Sequence, residues 1–504
     1  MSDYAVLSTF KPPKKSILML DQTQVPILAA LESRGFREHA PFYTPGHKRG
    51  RGTPAPLLQA LKADCLKLDL PELPGLDNLF MPEGIIQEAQ TLAAATFGAE
   101  QTWFLVNGST CGIIAALMAV CQPGDYIILP RNVHQSAIAG LILTGAIPVF
   151  VDPAYNAELD LVGSPTPESV ALALTQYPQA KAVLVTSPTY EGVCAKLETI
   201  APLVHQHGIP LLVDEAHGPH FHFHPDLPVD ALTAGADLTV QSTHKVLAAL
   251  TQASMLHVQG TRIDRQRLQQ ALSLVQSSSP NYLLLAALDA ARQQMALQGE
   301  VILTETLHLA TQAREQIKAI PLLQVLGTEH LQEDGFAAID PTRLRISVAP
   351  LGRSGFEVDE QLDQHGVTAE FPSLSALTFI ISLGNTAADI DRLVNGLSQI
   401  AEDSLPRSND RPMMAFPFPE LIATPSLSPR EAFFASHETV PFDRAVDRIS
   451  AELVCPYPPG IPMLLPGEAI APAALDYLRQ VQTAGGMITG CSNPRLETLK
   501  VVRS

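Results

Sequence analysis

Short apolar runs alternate with segments of helical periodicity through the middle of the chain. Most of these runs are continuously apolar and β-branched, as expected for strands that are covered on both faces. The predicted strands are residues 102–106, 126–129, 147–151, 182–186, 211–213, 238–240 and 254–258. Because helical segments separate them, we expect crossover connections and a mainly parallel sheet. The pattern predicts an α/β fold whose ligand site lies at the carboxyl ends of the strands.

The flanking regions divide the chain further. Helical spacing predicts helices over residues 25–34, 83–97 and 282–298, the last followed by more helix to about residue 319. Short strands mixed with helices predict a smaller α+β domain after it, and six prolines mark a linker before two further helices, near residues 429–435 and 472–484. The predicted units are an arm (1–48), a large domain (49–300), a small domain (301–403), a proline-rich linker (404–430) and a C-terminal domain (431–504).

Lys245 and Asp214 follow neighbouring predicted strands. A lysine amine that is desolvated becomes a nucleophile toward an aldehyde, and a carboxylate keeps a pyridine nitrogen protonated. This pairing predicts that Lys245 holds pyridoxal phosphate as a Schiff base and that Asp214 faces the cofactor ring. Taken singly, a solvated lysine and an aspartate that caps a helix would explain the same residues.

Two further segments follow predicted strands and carry groups that such a cofactor needs. Ser109 and Thr110 open an apolar helix, where backbone N–H groups and hydroxyls form a phosphate cradle. His134 is placed to stack on a ring, or to bond the backbone of its own loop. The chain has no GxxxxGK[ST] motif and no Gly-Lys dipeptide, which argues against a P-loop.

A histidine-rich segment offers an alternative chemistry. His217, His220, His222 and His224 stand close to Asp214 in sequence and could chelate a metal, although the HExxH spacing of metalloproteases is missing. A metal-dependent hydrolase is therefore the competing function from a different class. The same segment begins with the letters DEAH of a helicase motif, but the missing P-loop excludes that interpretation.

Composition narrows the class of protein. Hydrophobic residues make up 46% of the 504 residues and charged residues 17%, which is typical of a globular chain. A net charge of −18 argues against nucleic-acid binding. Six scattered cysteines indicate reduced thiols, and the apolar runs are shorter than the roughly 20 residues of a membrane helix. With no recognisable signal peptide, we expect a soluble cytoplasmic protein without a membrane partner.

Taken together, these motifs resemble one known family. The chain is similar to the Orn/Lys/Arg decarboxylases, which have the aspartate-aminotransferase fold (fold type I of pyridoxal-phosphate enzymes), and the likeness extends from about residue 20 almost to the end. The segments that carry it are 44–48 (TPGHK), 73–79 (LPGLDNL), 82–84 (PEG), 107–110 (NGST), 131–134 (RNVH), 214–217 (DEAH), 242–245 (STHK), 277–282 (SSSPNY), 456–462 (PYPPGIP) and 466–468 (PGE).

The resemblance implies a role for each matching residue. Lys245 would carry pyridoxal phosphate, Asp214 would pair with its ring nitrogen and His134 would stack on the ring. Ala216 would pack against the ring with His217 close by. The phosphate would be held by Ser109, Thr110, Ser242 and His244, with Ser279 or a neighbour reaching over from a partner subunit. A site at a dimer interface implies a homodimer or a multiple of it. Larger members carry an N-terminal wing domain, for which this chain leaves no room.

The implied reaction is decarboxylation of a basic amino acid to a polyamine precursor. Arginine is favoured over lysine and ornithine, and Lys245 or His244 would return a proton to Cα. A basic side chain needs a carboxylate, and the candidates are Glu468, which is preferred, Glu438 and Asp77. Within the fold, an aminotransferase or a lyase of sulfur amino acids is the alternative, because Arg343 or Arg345 could bind a retained α-carboxylate.

Overall fold

The computed structural model describes residues 20–331, 335–404, 426–457 and 460–503. The strands in chain order are β1 (Gln101–Leu105), β2 (Tyr126–Pro130), β3 (Ile147–Val151), β4 (Pro153–Asn156), β5 (Leu161–Pro165), β6 (Val183–Thr186), β7 (Val193–Cys194), β8 (Leu211–Asp214), β9 (Leu238–Gln241), β10 (Ser254–Val258), β11 (Gln324–Val325), β12 (Ala338–Ile339), β13 (Arg343–Ser347), β14 (Phe371–Pro372), β15 (Ala376–Ile380), β16 (His437–Pro441), β17 (Cys455–Tyr457), β18 (Met487–Thr489) and β19 (Thr498–Val502).

The helices surround these strands. They are α1 (Pro26–Gly35), α2 (Ala55–Leu68), α3 (Ile85–Thr96), α4 (Gly108–Val120), α5 (Gln135–Thr144), α6 (Pro167–Gln176), α7 (Leu197–Gln206), α8 (Thr243–Val246), α9 (Arg265–Val275), α10 (Tyr282–Lys318), α11 (Gly355–Gln364), α12 (Ala387–Glu402), α13 (Pro429–Phe434) and α14 (Pro472–Thr483). Among the described residues, no helix is both long enough and apolar enough to cross a bilayer.

A seven-stranded sheet forms the centre of the molecule. Its order is β1-β10-β9-β8-β6-β2-β3, and every predicted strand of the middle region is part of it. The neighbours from β9 to β3 are parallel, whereas β10 runs antiparallel to both β1 and β9. The predicted α/β fold with a mainly parallel sheet is confirmed.

Alternate side chains along the strands point to opposite faces of the sheet and pack into different hydrophobic cores. On one face, Leu212 and Val240 pack with α4, α5 and α9. On the other face, Val213 packs with α6 and α7, and Phe104 packs with α1, α3 and α10. Burial on both faces explains why these strands are continuously apolar instead of alternating.

The long helix α10 joins two of the hydrophobic cores. Its first half, with Leu285 and Leu288, packs on the central sheet, and its second half, from Leu309 to Ile317, packs on a second sheet. This second sheet has the order β11-β13-β15-β14 and is covered by α11 and α12. The two helical patterns predicted on either side of residue 300 are therefore one continuous helix.

The C-terminal segment has its own small core. The strand pairs β16-β19 and β17-β18 pack with α14, and the two predicted helices of this region are present. Most of the predicted proline-rich linker lies outside the described residues, as do Pro458 and Pro459 of the PYPPGIP motif.

Candidate active site

Lys245 and Asp214 lie at the carboxyl ends of two adjacent parallel strands. Asp214 is the last residue of β8, and Lys245 lies in the short helix α8 that follows β9. Burial lowers the pKa of the Lys245 amine to about 8, while the nearby Asp214 carboxylate opposes this shift. An amine with this pKa is about one-tenth neutral near pH 7, far more than an ordinary lysine, and the neutral form is the nucleophile.

Asp214 is a buried carboxylate with little to balance its charge. Its Oδ1 accepts a hydrogen bond from the backbone N–H of Ala216 (3.2 Å), and burial raises its pKa. Within the described part of the chain, no cationic side chain comes within ion-pair distance of it. A protonated pyridine nitrogen would supply the missing donor and charge, so the site fits the ring of pyridoxal phosphate.

The residues of the predicted phosphate cradle lie at the start of α4. The Ser242 hydroxyl donates to Oγ of Ser109 (2.8 Å), although the two residues are far apart in sequence. Ser109 and Thr110 occupy the first turn of this helix, where free N–H groups and the helix dipole attract an anion. The structure thus brings Ser109, Thr110 and Ser242 to one end of the sheet.

His134 caps α5 at the same end of the sheet. Its Nδ1 accepts from the backbone N–H of Ser136 (3.2 Å) and lies 2.8 Å from the Ser136 hydroxyl. Burial, with the Lys245 charge adding to it, lowers the pKa of His134 to about 4. A neutral imidazole is suited to stack on a cofactor ring.

His217 makes the closest side-chain contact to Lys245. Its Nε2 lies 2.7 Å from Nζ of Lys245, and its Nδ1 lies 2.9 Å from Nη2 of Arg343. The Tyr190 ring lies beside both, with its centroid 4.6 Å from the His217 ring and 5.4 Å from Nζ of Lys245. The resemblance implied that His217 lies near the cofactor, but no sequence pattern indicated its contacts with Arg343 and Tyr190.

The remaining predicted cofactor contacts lie around this centre. The His244 ring bonds through Nδ1 to the Ala253 carbonyl (2.9 Å), and burial lowers its pKa. Ala216 is buried next to Asp214. Ser279 is exposed on a loop that is tied to the cradle of its own chain, where the Ser277 N–H donates to Oδ1 of Asn107 (3.2 Å).

The three predicted substrate carboxylates have partners within the chain itself. Glu468 is buried in an ion pair with Arg131 (2.8 Å), and Glu438 pairs with Arg448 on the C-terminal segment (2.5 Å). Asp77 accepts backbone N–H bonds from Glu83, Gly84 and Ile86 at the start of α3. Each carboxylate therefore has at least one partner in the chain, and both oxygens are occupied in Glu468 and Asp77.

A different carboxylate is near enough for its charge to act on the site. Glu370 is exposed just before β14, and its charge acts on Lys245, His244 and Arg343. Its position depends on a strand of only two residues, for which the sequence carries no pattern. Sequence reasoning therefore had no signal that could find it.

The histidine-rich segment does not converge on one point. His220 pairs with Asp340 (3.2 Å), His222 with Asp230 (3.1 Å) and His224 with Thr304 (3.1 Å), whereas His217 contacts Lys245. In the ranges that the structure describes, no group of three or more His, Cys, Asp or Glu side chains could hold a metal ion. The geometry gives the metal-hydrolase alternative no support.

The sheet topology and the lysine–aspartate pair at adjacent strand ends define a protein with the fold of the fold type I pyridoxal-phosphate enzymes. The family model described as Orn/Lys/Arg decarboxylase, major domain, matches residues 25–389, and the model of the C-terminal domain matches residues 409–493. The chain belongs to the Orn/Lys/Arg decarboxylase family.

Relatives of similar length agree with this membership. Over 485 residues the chain is 39% identical to an arginine decarboxylase of Bacillus subtilis, which covers 96% of this chain and 99% of the relative. It is 40% identical over 486 residues to an arginine decarboxylase of Halalkalibacterium halodurans, with the same coverage. The crystal structure of the Francisella novicida lysine decarboxylase LdcF shares the fold, with a TM-score of 0.82 at 22% identity over 95% of this chain and 81% of that one.

Proposed function

We propose that this protein removes the α-carboxyl group of a basic amino acid, with arginine as the preferred substrate and pyridoxal phosphate as the cofactor. The observation that carries the proposal is the pairing of Lys245 with Asp214 at the ends of adjacent strands β9 and β8. The choice of arginine as the substrate rests on the two arginine decarboxylases that are 39% and 40% identical over 96% of the chain.

Each residue of the site has a task in this proposal. When bound, pyridoxal phosphate supplies an aldehyde for covalent attachment and a ring that accepts the electrons left when CO₂ departs. Lys245 provides the attaching amine, and Asp214 keeps the proton on the ring nitrogen. His134 covers the ring face. Ser109, Thr110, Ser242 and His244 bind the phosphate.

The substrate's basic side chain also needs a partner. We propose Glu370 for this task, because it is exposed and its charge reaches the amine of Lys245. A carboxylate that is not desolvated before binding pairs with a guanidinium at little cost. Ser279 would complete the phosphate site from the partner subunit of a homodimer.

Both arginines that could have favoured an aminotransferase have partners inside the fold, but Nε and Nη1 of Arg343 lack a hydrogen-bond partner among the described residues. Arg343 bonds His217, and Nη2 of Arg345 donates to the carbonyl oxygens of Leu159 (2.6 Å) and Asp160 (2.9 Å). Arg345 is therefore held inside the fold, whereas Arg343 keeps two buried nitrogens without a hydrogen-bond partner, so product analysis decides between the two reactions.

Product analysis tests the proposal. The purified protein, supplied with pyridoxal phosphate and arginine, should form agmatine, and borohydride reduction of the loaded protein should place the pyridoxyl group on Lys245 in a peptide mass spectrum. Formation of a 2-oxo acid instead of the amine would support the aminotransferase alternative. A pyridoxyl group on another lysine would overturn the assignment of the site.

A further inference from the structure

A line of buried polar contacts runs from Lys245 away from the site. Nζ of Lys245 lies 2.7 Å from Nε2 of His217, whose Nδ1 lies 2.9 Å from Nη2 of Arg343. Nε of Arg343 lies 3.7 Å from Oδ2 of Asp340. None of His217, Arg343 and Asp340 is more than 4% exposed, so water does not compete for these contacts.

The chemistry of the guanidinium group decides which nitrogen of His217 carries the proton. An arginine side chain has only donors and stays protonated in proteins. Nδ1 of His217 must therefore accept from Arg343. Burial, together with the charges of Lys245 and Arg343, holds the pKa of His217 well below its ordinary value. The neutral ring then carries its one proton on Nε2.

The Nε2–H group points at Nζ of Lys245, and only a neutral amine offers a lone pair to accept it. An ammonium group there would place two donors 2.7 Å apart. We propose that Arg343 is a positioning residue that fixes His217 in its Nε2–H tautomer, which favours the neutral form of the Lys245 amine whenever this amine is free. This proposal rests on the proposed function in one respect: the proposed function says what the neutral amine of Lys245 is used for, namely attachment of the cofactor.

Arg343 is itself held in place. It is the first residue of β13, and Asp340 is fixed by hydrogen bonds from the backbone N–H (2.9 Å) and the hydroxyl (2.7 Å) of Thr342 and by the contact with His220 (3.2 Å). The guanidinium also donates to the backbone carbonyl of His217 (3.4 Å). These contacts aim Nη2 at the His217 ring.

Both negative and positive groups act on the Lys245 amine. Asp214 and Glu370 favour protonated Lys245, whereas burial and Arg343 disfavour it, and burial comes first. The rings of His134 and His244 also lie close enough to act on His217, and Tyr190 packs against its face. The Nε2–H bond adds a directional preference for the neutral amine that burial alone does not give.

The same geometry excludes a proton relay through His217. A relay needs a group beyond Nδ1 that can take up or release a proton, and Arg343 does neither near neutral pH. The His217 ring therefore donates one hydrogen bond. Its effect is to keep Lys245 ready to attack a carbonyl carbon or to accept a proton.

The tautomer can be measured directly in the full-length protein loaded with cofactor. In nitrogen NMR of histidine-labelled protein, the resonances absent from a His217→Asn sample identify this ring. We expect a pyridine-type Nδ1 and a pyrrole-type Nε2 that do not titrate between pH 6 and 9. A pyrrole-type Nδ1, or a ring that titrates in this range, would overturn the proposal, and neither result depends on catalytic activity.

Two variants separate the hydrogen bond from the charge of Arg343. Arg343→Gln keeps an N–H donor without the charge, whereas Arg343→Met loses both. Competitive acetylation of the full-length chain freed of cofactor, read at Lys245 by mass spectrometry, reports the neutral fraction of the amine at each pH. We expect the midpoint of Arg343→Met to lie about one pH unit above that of Arg343→Gln, a tenfold smaller neutral fraction below pH 7.

Coinciding midpoints for the two variants would show that only the charge matters and would overturn the proposal. Because Arg343→Met leaves Asp340 without its cation, circular dichroism is needed to check that it folds. If it does not fold, the NMR measurement on the unaltered protein still decides the question. Loss of decarboxylation with a correct tautomer would count against the proposed function and leave this inference intact.

Discussion

Arg131 and Glu468 form a bidentate ion pair between the loop after β2 and the C-terminal segment. Nε and Nη2 of Arg131 donate to the two carboxylate oxygens of Glu468 at 3.0 and 2.8 Å. Arg131 also donates to the carbonyl oxygens of Pro462 (2.8 Å) and Met463 (3.2 Å). Because Arg131 lies three residues before His134, this pair anchors the loop that carries His134.

Breaking this pair should destabilise the protein strongly. Glu468→Leu would leave the guanidinium of Arg131 buried without its counter-charge, and we expect a loss of about 3–5 kcal/mol in the free energy of unfolding. Adding Arg131→Met to that variant should recover part of the loss, since the unpaired charge is then gone although the carbonyls of Pro462 and Met463 lose their donor. Urea unfolding of the single and double variants measures both effects.

Glu438 provides the matched control for this prediction. It pairs with Arg448 at 2.5 Å, but both side chains are partly exposed, so Glu438→Leu should cost less than about 1 kcal/mol. Equal losses for Glu438→Leu and Glu468→Leu would contradict the view that burial distinguishes the two pairs.

Gly192 lies directly against Arg343. Its φ is +92°, and a Cβ atom there would come within 2.7 Å of Cγ of Arg343 and within 3.3 Å of Cβ of Asp340. Gly192→Ala should therefore lower the thermal unfolding midpoint through backbone strain of about 1–2 kcal/mol and through displacement of Arg343, with overpacking adding about 1–3 kcal/mol. It should also shift the His217 nitrogen resonances.

Gly208 separates backbone strain from the contact with Arg343. Its φ is +73°, and a Cβ atom added there would meet no atom of the described residues within 4 Å. Gly208→Ala should cost about 1–2 kcal/mol and leave the His217 resonances unchanged. If Gly192→Ala proved no more harmful than Gly208→Ala, the close packing of Gly192 on Arg343 would be refuted.

Glu215 should make the stability of the protein depend on pH. Burial, with Asp230 adding to it, raises the pKa of this carboxyl from its ordinary 4.5 to about 8. Between these values the folded chain holds a proton that the unfolded chain releases, so stability falls as pH rises, at most by about 1.4 kcal/mol per pH unit. Above pH 8 the fall should level off.

Glu215→Gln removes this titration while keeping a carbonyl oxygen for the Ala231 N–H (2.8 Å). The thermal midpoint of the variant should decline less between pH 5 and pH 8 than that of the unaltered protein. The difference between the two profiles cancels the contributions of the histidines. Parallel profiles would show that Glu215 is ionised throughout this range.

Glu370→Gln should weaken binding of the substrate's basic side chain. Loss of a charge-assisted hydrogen bond of about 1.5–3 kcal/mol predicts a KM for arginine that rises about tenfold to a hundredfold, with a smaller change in kcat. Steady-state kinetics of Glu360→Gln, an exposed glutamate on α11, provide the control and should show no change. An unaltered KM for Glu370→Gln would remove Glu370 from the substrate site.

The parts of the structure that the sequence predicted depend on local pattern. Seven short, mostly apolar runs identified the central sheet, and Lys245 and Asp214 followed from their positions at strand ends. Helix α2 was missed because its apolar residues form no single buried face: Leu66 is buried, whereas Leu57 and Leu61 are exposed.

Contacts between residues far apart in the chain could not be predicted from the sequence. Glu468 was predicted to bind the basic side chain of the substrate. Nothing near it in sequence indicates that it binds Arg131, which lies 337 residues away. Similarly, Arg343 meets His217 across 126 residues through a strand of the second sheet. Such partners are fixed by tertiary packing, and local periodicity carries no information about them.

The most direct test of the central claim is the release of CO₂ from carboxyl-labelled arginine, lysine and ornithine. The unaltered protein with pyridoxal phosphate should release labelled CO₂ fastest from arginine, with one agmatine formed for each CO₂, and Lys245→Ala should release none. No CO₂ from any of the three substrates by protein that is fully loaded with cofactor would contradict the proposed function. Undiminished release by Lys245→Ala would contradict the site.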